Sequence, residues 1–193
     1  MRLVERAVNI VLRPRREWLV VAAEPTAPAR LFRTYVAPLA AVGPLTSIAG
    51  LTLVGITRAG TGTFRVPVGG AVEHALATYL LDLVGIYVLS RVIDGLAPRY
   101  ASEPDDLRSL QLAAYAATPG WLAGALLVVP MLGILKLLAT LYGVYLIWLG
   151  LPVLMRTPSS NVGGYFAAIA AALAGIGLFT TAVTNFILRT AAV

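Results

Sequence analysis

LQLAAYAATPGWLAGALLVVPMLGILKLLATLYGVYLIWLGLPVL, residues 110–154, holds a single charged side chain, Lys136. A helix needs about 20 mostly apolar residues to cross a bilayer, and this run is long enough to cross twice. Its one break is near Val129 and Pro130. Proline fits the first turn of a returning helix, where its missing N–H goes unused, so the block reads as a tight helical hairpin with spans of about 110–128 and 131–154. Working outward, three further apolar stretches are long enough to cross: about 35–56, 72–93 and 165–188. The expected fold is all-α, an integral membrane bundle of five transmembrane helices.

The whole composition agrees. The chain is 59% hydrophobic and 12% charged, with a mean hydropathy of +0.83, whereas soluble domains are about half apolar and a quarter charged. A chain of 193 residues cannot hide that much apolar surface in a water-soluble core. The absence of cysteine removes disulfides, thiolate metal sites and cysteine nucleophiles. Short alternating strands, as in a membrane barrel, are missing, and so is an internal repeat.

The formal charge of +6 is concentrated at one end. MRLVERAVNIVLRPRREWLVVAAEPTAPARLFR, residues 1–33, carries seven of the fifteen basic residues. That is the pattern of a segment facing anionic lipid headgroups, and not of a nucleic-acid binder. Leu3, Val4, Ala7, Val8, Ile10 and Val11 can share a broad apolar face, with Arg2, Glu5, Arg6 and Asn9 elsewhere. We expect an amphipathic helix in the membrane interface, with Arg13, Arg15 and Arg16 at headgroup level and Trp18 as an anchor. Residues 34–193 then form the transmembrane domain. With the N-terminus in the cytoplasm, eleven basic residues fall on the inner side (the seven above with Arg91, Arg99, Arg108 and Arg156) against Arg58, Arg65 and Arg189 outside. This sets N-inside, C-outside. Asp105 and Asp106 in the polar loop 94–109 read as a solvated turn, with Ser102 or Asp105 capping the next helix.

Ionisable groups inside the membrane are costly and mark polar sites. His74, Thr78 and Asp82 recur at helical spacing on one face of the second span, and Asp82 sits near mid-membrane. Lys136 has a long stem. It either extends its ammonium back to the interface or pairs with Asp82. Pro119 in the third span frees the carbonyl of Tyr115, so His74, Thr78, Asp82, Lys136, Tyr115 and Pro119 together form a candidate intramembrane polar site. Gly120 and Gly124 permit close helix packing. Catalytic motifs, P-loops and dinucleotide fingerprints are absent; His74 with Glu73 gives too few ligands for a metal. No cofactor or enzyme chemistry is expected.

Several landmarks are similar to a known family. AYAATPGWLAG (114–124), VVPMLG (128–133) and LYGVYLIWLGLPVLMRTP (141–158), all within 96–158, together with RPRREWLVVAAEP (13–25), resemble bacterial members of the Yip family, five-pass membrane proteins named for Ypt/Rab-interacting relatives. The resemblance implies five helical spans and a cytoplasmic N-terminus. Eukaryotic relatives are associated with Rab GTPases, vesicle budding and membrane shaping. This chain lacks their long soluble N-terminal region, so GTPase binding is not carried over. The arginine and alanine bias suggests a bacterial inner membrane. The expected function is non-enzymatic membrane organisation or shaping, or assembly with itself or other membrane proteins. The alternative is a small-solute or ion transporter using a polar path around Asp82 and Lys136.

Overall fold

The computed structural model describes residues 3–58, 62–129 and 132–191. Arg2, Pro130 and Met131, to which the sequence assigns roles above, lie outside the described residues. Two short helices, α1 (Leu3–Leu12) and α2 (Pro14–Ala23), open the chain. They meet at Arg13, and Pro14 takes the first helical position, where its missing N–H costs nothing. Four later helices are long and apolar enough to cross a membrane: Pro28–Val54, Val68–Tyr100, Gly133–Leu154 and Val162–Arg189. We call Pro28–Val54 α3, Val68–Leu96 α4, Asp106–Ala123 α5, Gly133–Leu154 α6 and Val162–Ala191 α7.

α5 is not among the four. A tighter turn, Gly124–Val128, prolongs it, and it is the core of the bundle. From Ser109 to Trp121 only Ala117 is not fully buried. It packs along α4 and α6 and also touches α1 and α3, which lets its Ser109, Gln111 and Thr118 be buried. A helix walled by protein does not need the uniform hydropathy of one facing lipid.

α3 begins at Pro28, earlier than the expected Tyr35, because that proline starts a helical turn that Arg30 and Arg33 do not interrupt. It is irregular, with wide π turns at Phe32–Val36 and Gly50–Val54 on either side of Pro38 and Pro44. Between α3 and α4 the fold departs from all-α. Strands β1 (Ile56–Arg58) and β2 (Gly62–Phe64) pair antiparallel, with Thr57 opposite Thr63. Gly55 turns the chain into this hairpin at φ 87°, where a side chain would also press within 2.5 Å of the Phe64 carbonyl oxygen.

Glycine decides how closely the helices approach. A Cβ on Gly124 would lie 2.7 Å from the Gly43 Cα, so α3 and the end of α5 cross backbone to backbone. There the Thr46 hydroxyl donates to the Gly124 carbonyl at 2.7 Å. A Cβ on Gly120 would meet the Thr140 hydroxyl oxygen at 3.1 Å. On α6, Gly143 sits against the Ala116 carbonyl, and Gly150 leaves a notch filled by Leu112 and Trp18.

The opposite end is held by polar contacts. Asp105 caps α5 by accepting from the Arg108 N–H at 3.0 Å. Ser102 instead donates to Thr157 at 2.8 Å. Asp106 is paired with Arg91, and Arg156 with Glu103 at 2.8 Å. Tyr100 stacks on Tyr165 at 5.0 Å, whose hydroxyl donates to the Ile93 carbonyl.

Candidate functional site

Asp82 is the midpoint of α4, fourteen residues from either end. It lines a cavity of about 290 Å³ between α4, α5, α6 and α7. Lys136, in the first turn of α6, lines the same cavity. Among the described residues neither charge has a direct partner: Asp82 accepts no hydrogen bond, Lys136 donates none, and they are not within the 4.0 Å of an ion pair. The ammonium is turned toward α3, 4.0 Å from where a Gly43 side chain would begin. Lys136 therefore forms no ion pair with Asp82, although both line the same space. Gly85, Gly120, Gly143 and Gly177 stand in its wall, and Thr140, Thr180 and Thr181 add hydroxyls.

The other four expected site residues do not line this cavity. The Thr78 hydroxyl donates to the His74 carbonyl of its own helix at 2.8 Å. His74 keeps a buried Nδ1 that has no hydrogen-bond partner among the described residues. Neither lines the cavity. Pro119 is buried within an α5 that continues through it. Tyr115 points to the other side of α5, where its ring meets those of Tyr35 at 4.7 Å and Trp18 at 6.2 Å. The polar site expected as one is split by the core helix, because residues 115 and 119 face away from the Asp82 side.

On that far side lies a cluster that sequence reasoning missed. Arg6 is 4% exposed, as is Glu17. The Arg6 guanidinium donates to Glu17 at 2.5 Å, is also paired with Glu24, and lies 5.7 Å from the centre of the Tyr115 ring. The Tyr35 and Thr118 hydroxyls, 2.8 Å apart, continue the network. A polar hollow of about 220 Å³ opens beside it, edged by Arg30 and Thr34. The signal was present: Glu17, Val21 and Glu24 recur at helical spacing along α2 and its C-terminal cap, and Arg6 shares a face of α1 with Ile10.

Two surface expectations need correction. Trp18 is not an interfacial anchor; it is 0% exposed, seated in the Gly150 notch. The apolar face of α1 is also divided. Ala7 and Ile10 turn inward together with Arg6, while Val4, Val8 and Leu12 turn outward. Leu19 and Val20 of α2 are exposed as well, with Arg13, Arg15 and Arg16 around them.

Comparison with known proteins fits this architecture. The chain is 29% identical over 143 residues to the inner membrane protein YohC of Escherichia coli K12, covering 72% of this chain and 73% of that protein. The YohC of the O6:H1 strain matches to the same extent. No solved structure matches. The Yip1 domain model matches residues 8–181, nearly the full length, and the chain is an integral membrane protein of the Yip1-domain family.

Proposed function

We propose that this protein organises the bacterial inner membrane by holding a rigid two-helix wedge in one leaflet. The carrying observation is the α1–α2 hairpin. Its inner face is tied to the bundle by Arg6 over the Tyr115 ring and by Trp18 at Gly150, with the Arg6–Glu17 pair joining its two helices, while its outer face offers Val4, Val8, Leu12, Leu19 and Val20 beside three exposed arginines. Apolar side chains flanked by arginines enter the headgroup and acyl boundary of an anionic leaflet. A wedge fixed to a transmembrane bundle expands that leaflet alone, and unequal leaflet areas bend a bilayer. In this reading α5 with its extension is a fifth crossing, at about 1.5 Å per helical residue. The N-terminus is then cytoplasmic and the C-terminus outside, as the basic residues favour. The outer surface of α7 is the face available for self-assembly or assembly with other membrane proteins. No catalysis is assigned.

Reconstitution into large vesicles of phosphatidylethanolamine and phosphatidylglycerol tests the wedge. The wild-type protein is expected to tubulate or shrink them, and exchange of Arg13, Arg15 and Arg16 for glutamate to abolish the effect. Unchanged vesicle shape with wild type, or full activity after removal of residues 1–24, contradicts it.

The cavity favours a second reading, a polar path for protons or small solutes. It requires a pH-dependent flux in proteoliposomes that Asp82→Asn abolishes; absence of flux for protons, common cations and small anions counts against it.

A further inference from the structure

An aspartate and a lysine line one half-open space between the helices, and among the described residues neither has a direct partner. An ionised group in low dielectric is unfavourable unless something compensates it. Their heights show why they do not compensate one another directly. The Ser109 hydroxyl is 3.5 Å from the Asp94 carboxylate and 3.6 Å from the Met155 sulfur, which sets α4 and α6 level at that point. Asp82 is twelve residues from Asp94 and Lys136 nineteen from Met155, so they stand ~18 and ~28 Å above it at 1.5 Å per residue. The lysine stem closes part of that difference and leaves a gap of several ångströms.

The gap sets the chemistry of an occupant. A lone cation near Asp82 meets repulsion from Lys136, and a lone anion near Lys136 meets repulsion from Asp82. Among the described residues no cluster of three or more His, Asp or Glu is placed to hold a metal ion. A molecule carrying both signs, an ammonium joined by a short chain to a phosphate or carboxylate, satisfies both ends at once. The walls suit it. At about 290 Å³ the cavity is at the small end for ligand pockets, with mostly apolar lining and few convergent polar groups, as small-molecule sites have. Gly85, Gly120, Gly143 and Gly177 stand in its wall beside the hydroxyl-bearing Thr140, Thr180 and Thr181.

The geometry points to a binding site for a small zwitterion, its ammonium on Asp82 and its anionic group on Lys136. The same chemistry occurs in the ethanolamine phosphate headgroup of a membrane lipid and in free zwitterionic solutes. This inference is independent of the wedge and of whether anything crosses the bilayer.

The test uses full-length protein in phosphatidylglycerol nanodiscs, titrated with glycerophosphoethanolamine and, separately, with its two halves, ethanolamine and glycerol phosphate. The zwitterion is expected to bind at least tenfold tighter than either half, and Asp82→Asn and Lys136→Gln each to weaken it at least tenfold. A parallel arm extracts the protein from membranes containing phosphatidylethanolamine and measures retained lipid by native mass spectrometry. Retention by wild type and loss in both variants assigns the lipid as the source; binding of the soluble zwitterion with no lipid retained assigns a free solute. Should a variant fail to fold, the comparison of zwitterion with halves on the wild type still decides. Halves that bind as well as the whole, or no binding in either arm, overturn the proposal.

Discussion

Replacing Arg6 by alanine is expected to destabilise the protein by about 3–5 kcal/mol, the range for removing one partner of a buried ion pair. The Glu17 side chain is 5% exposed and its partner in the structure is Arg6. Without the guanidinium a carboxylate is left inside the bundle with no compensating charge, among Trp18 and Tyr115. The measurement is reversible unfolding in mixed micelles, with protease sensitivity of residues 3–24 followed in parallel, since α1 and α2 should release first. A companion variant separates the cost of an orphaned charge from the worth of the pair. Arg6→Met combined with Glu17→Leu removes both charges at similar volume and should recover most of the loss. If Arg6→Ala alone costs under about 1 kcal/mol, the value of an exposed pair, the buried network is not what holds the hairpin.

Trp18→Ala should have an effect of the same size, about 3–5 kcal/mol, because it empties a fully enclosed site. Trp18 is 0% exposed, and its ring atoms lie 3.0 and 3.1 Å from the position of a Cβ on Gly150. Among the described residues the buried indole N–H has no hydrogen-bond partner. It follows that packing, and not a polar handle, keeps this residue in place. Trp18→Phe, which removes that N–H along with part of the ring, is expected to cost less than half as much as Trp18→Ala in the same unfolding measurement. Equal losses for the two variants would mean that an undetected partner of the indole nitrogen matters more than shape.

The crossing helices and the cap at Asp105 were legible because each depends on local sequence. Apolar length reports a lipid-facing helix, and a carboxylate three residues before the N–H it accepts reports a helix start. The start of α3 was obscured by Arg30 and Arg33, which read as boundary charges although the helix simply carries them at its exposed first turns. What was illegible depends on pairs distant in the chain. Gly43 and Gly124 mean nothing until α3 and α5 cross, and Arg6 was one arginine among seven until α2 folded back and set Glu17 against it. Trp18 stood next to charged neighbours, and one aromatic residue has no periodicity to show which way it faces. Asp82 and Lys136 were recognised separately by their cost in lipid. That they share a cavity, and that Tyr115 and Pro119 do not, depended on the rotation of α5, whose polar Ser109, Gln111 and Thr118 are buried along with its apolar residues and so mark no outward face.

The chain has no cysteine, so single introduced thiols can report its passage through the bilayer without background. Arg15→Cys, Ser159→Cys, Arg65→Cys and Arg189→Cys are each treated in intact spheroplasts with a membrane-impermeant maleimide, then again after permeabilisation. Five crossings with the wedge on the cytoplasmic side require that residues 65 and 189 label in intact cells and that 15 and 159 label only after permeabilisation. Residues 15 and 189 labelling from the same side would contradict it.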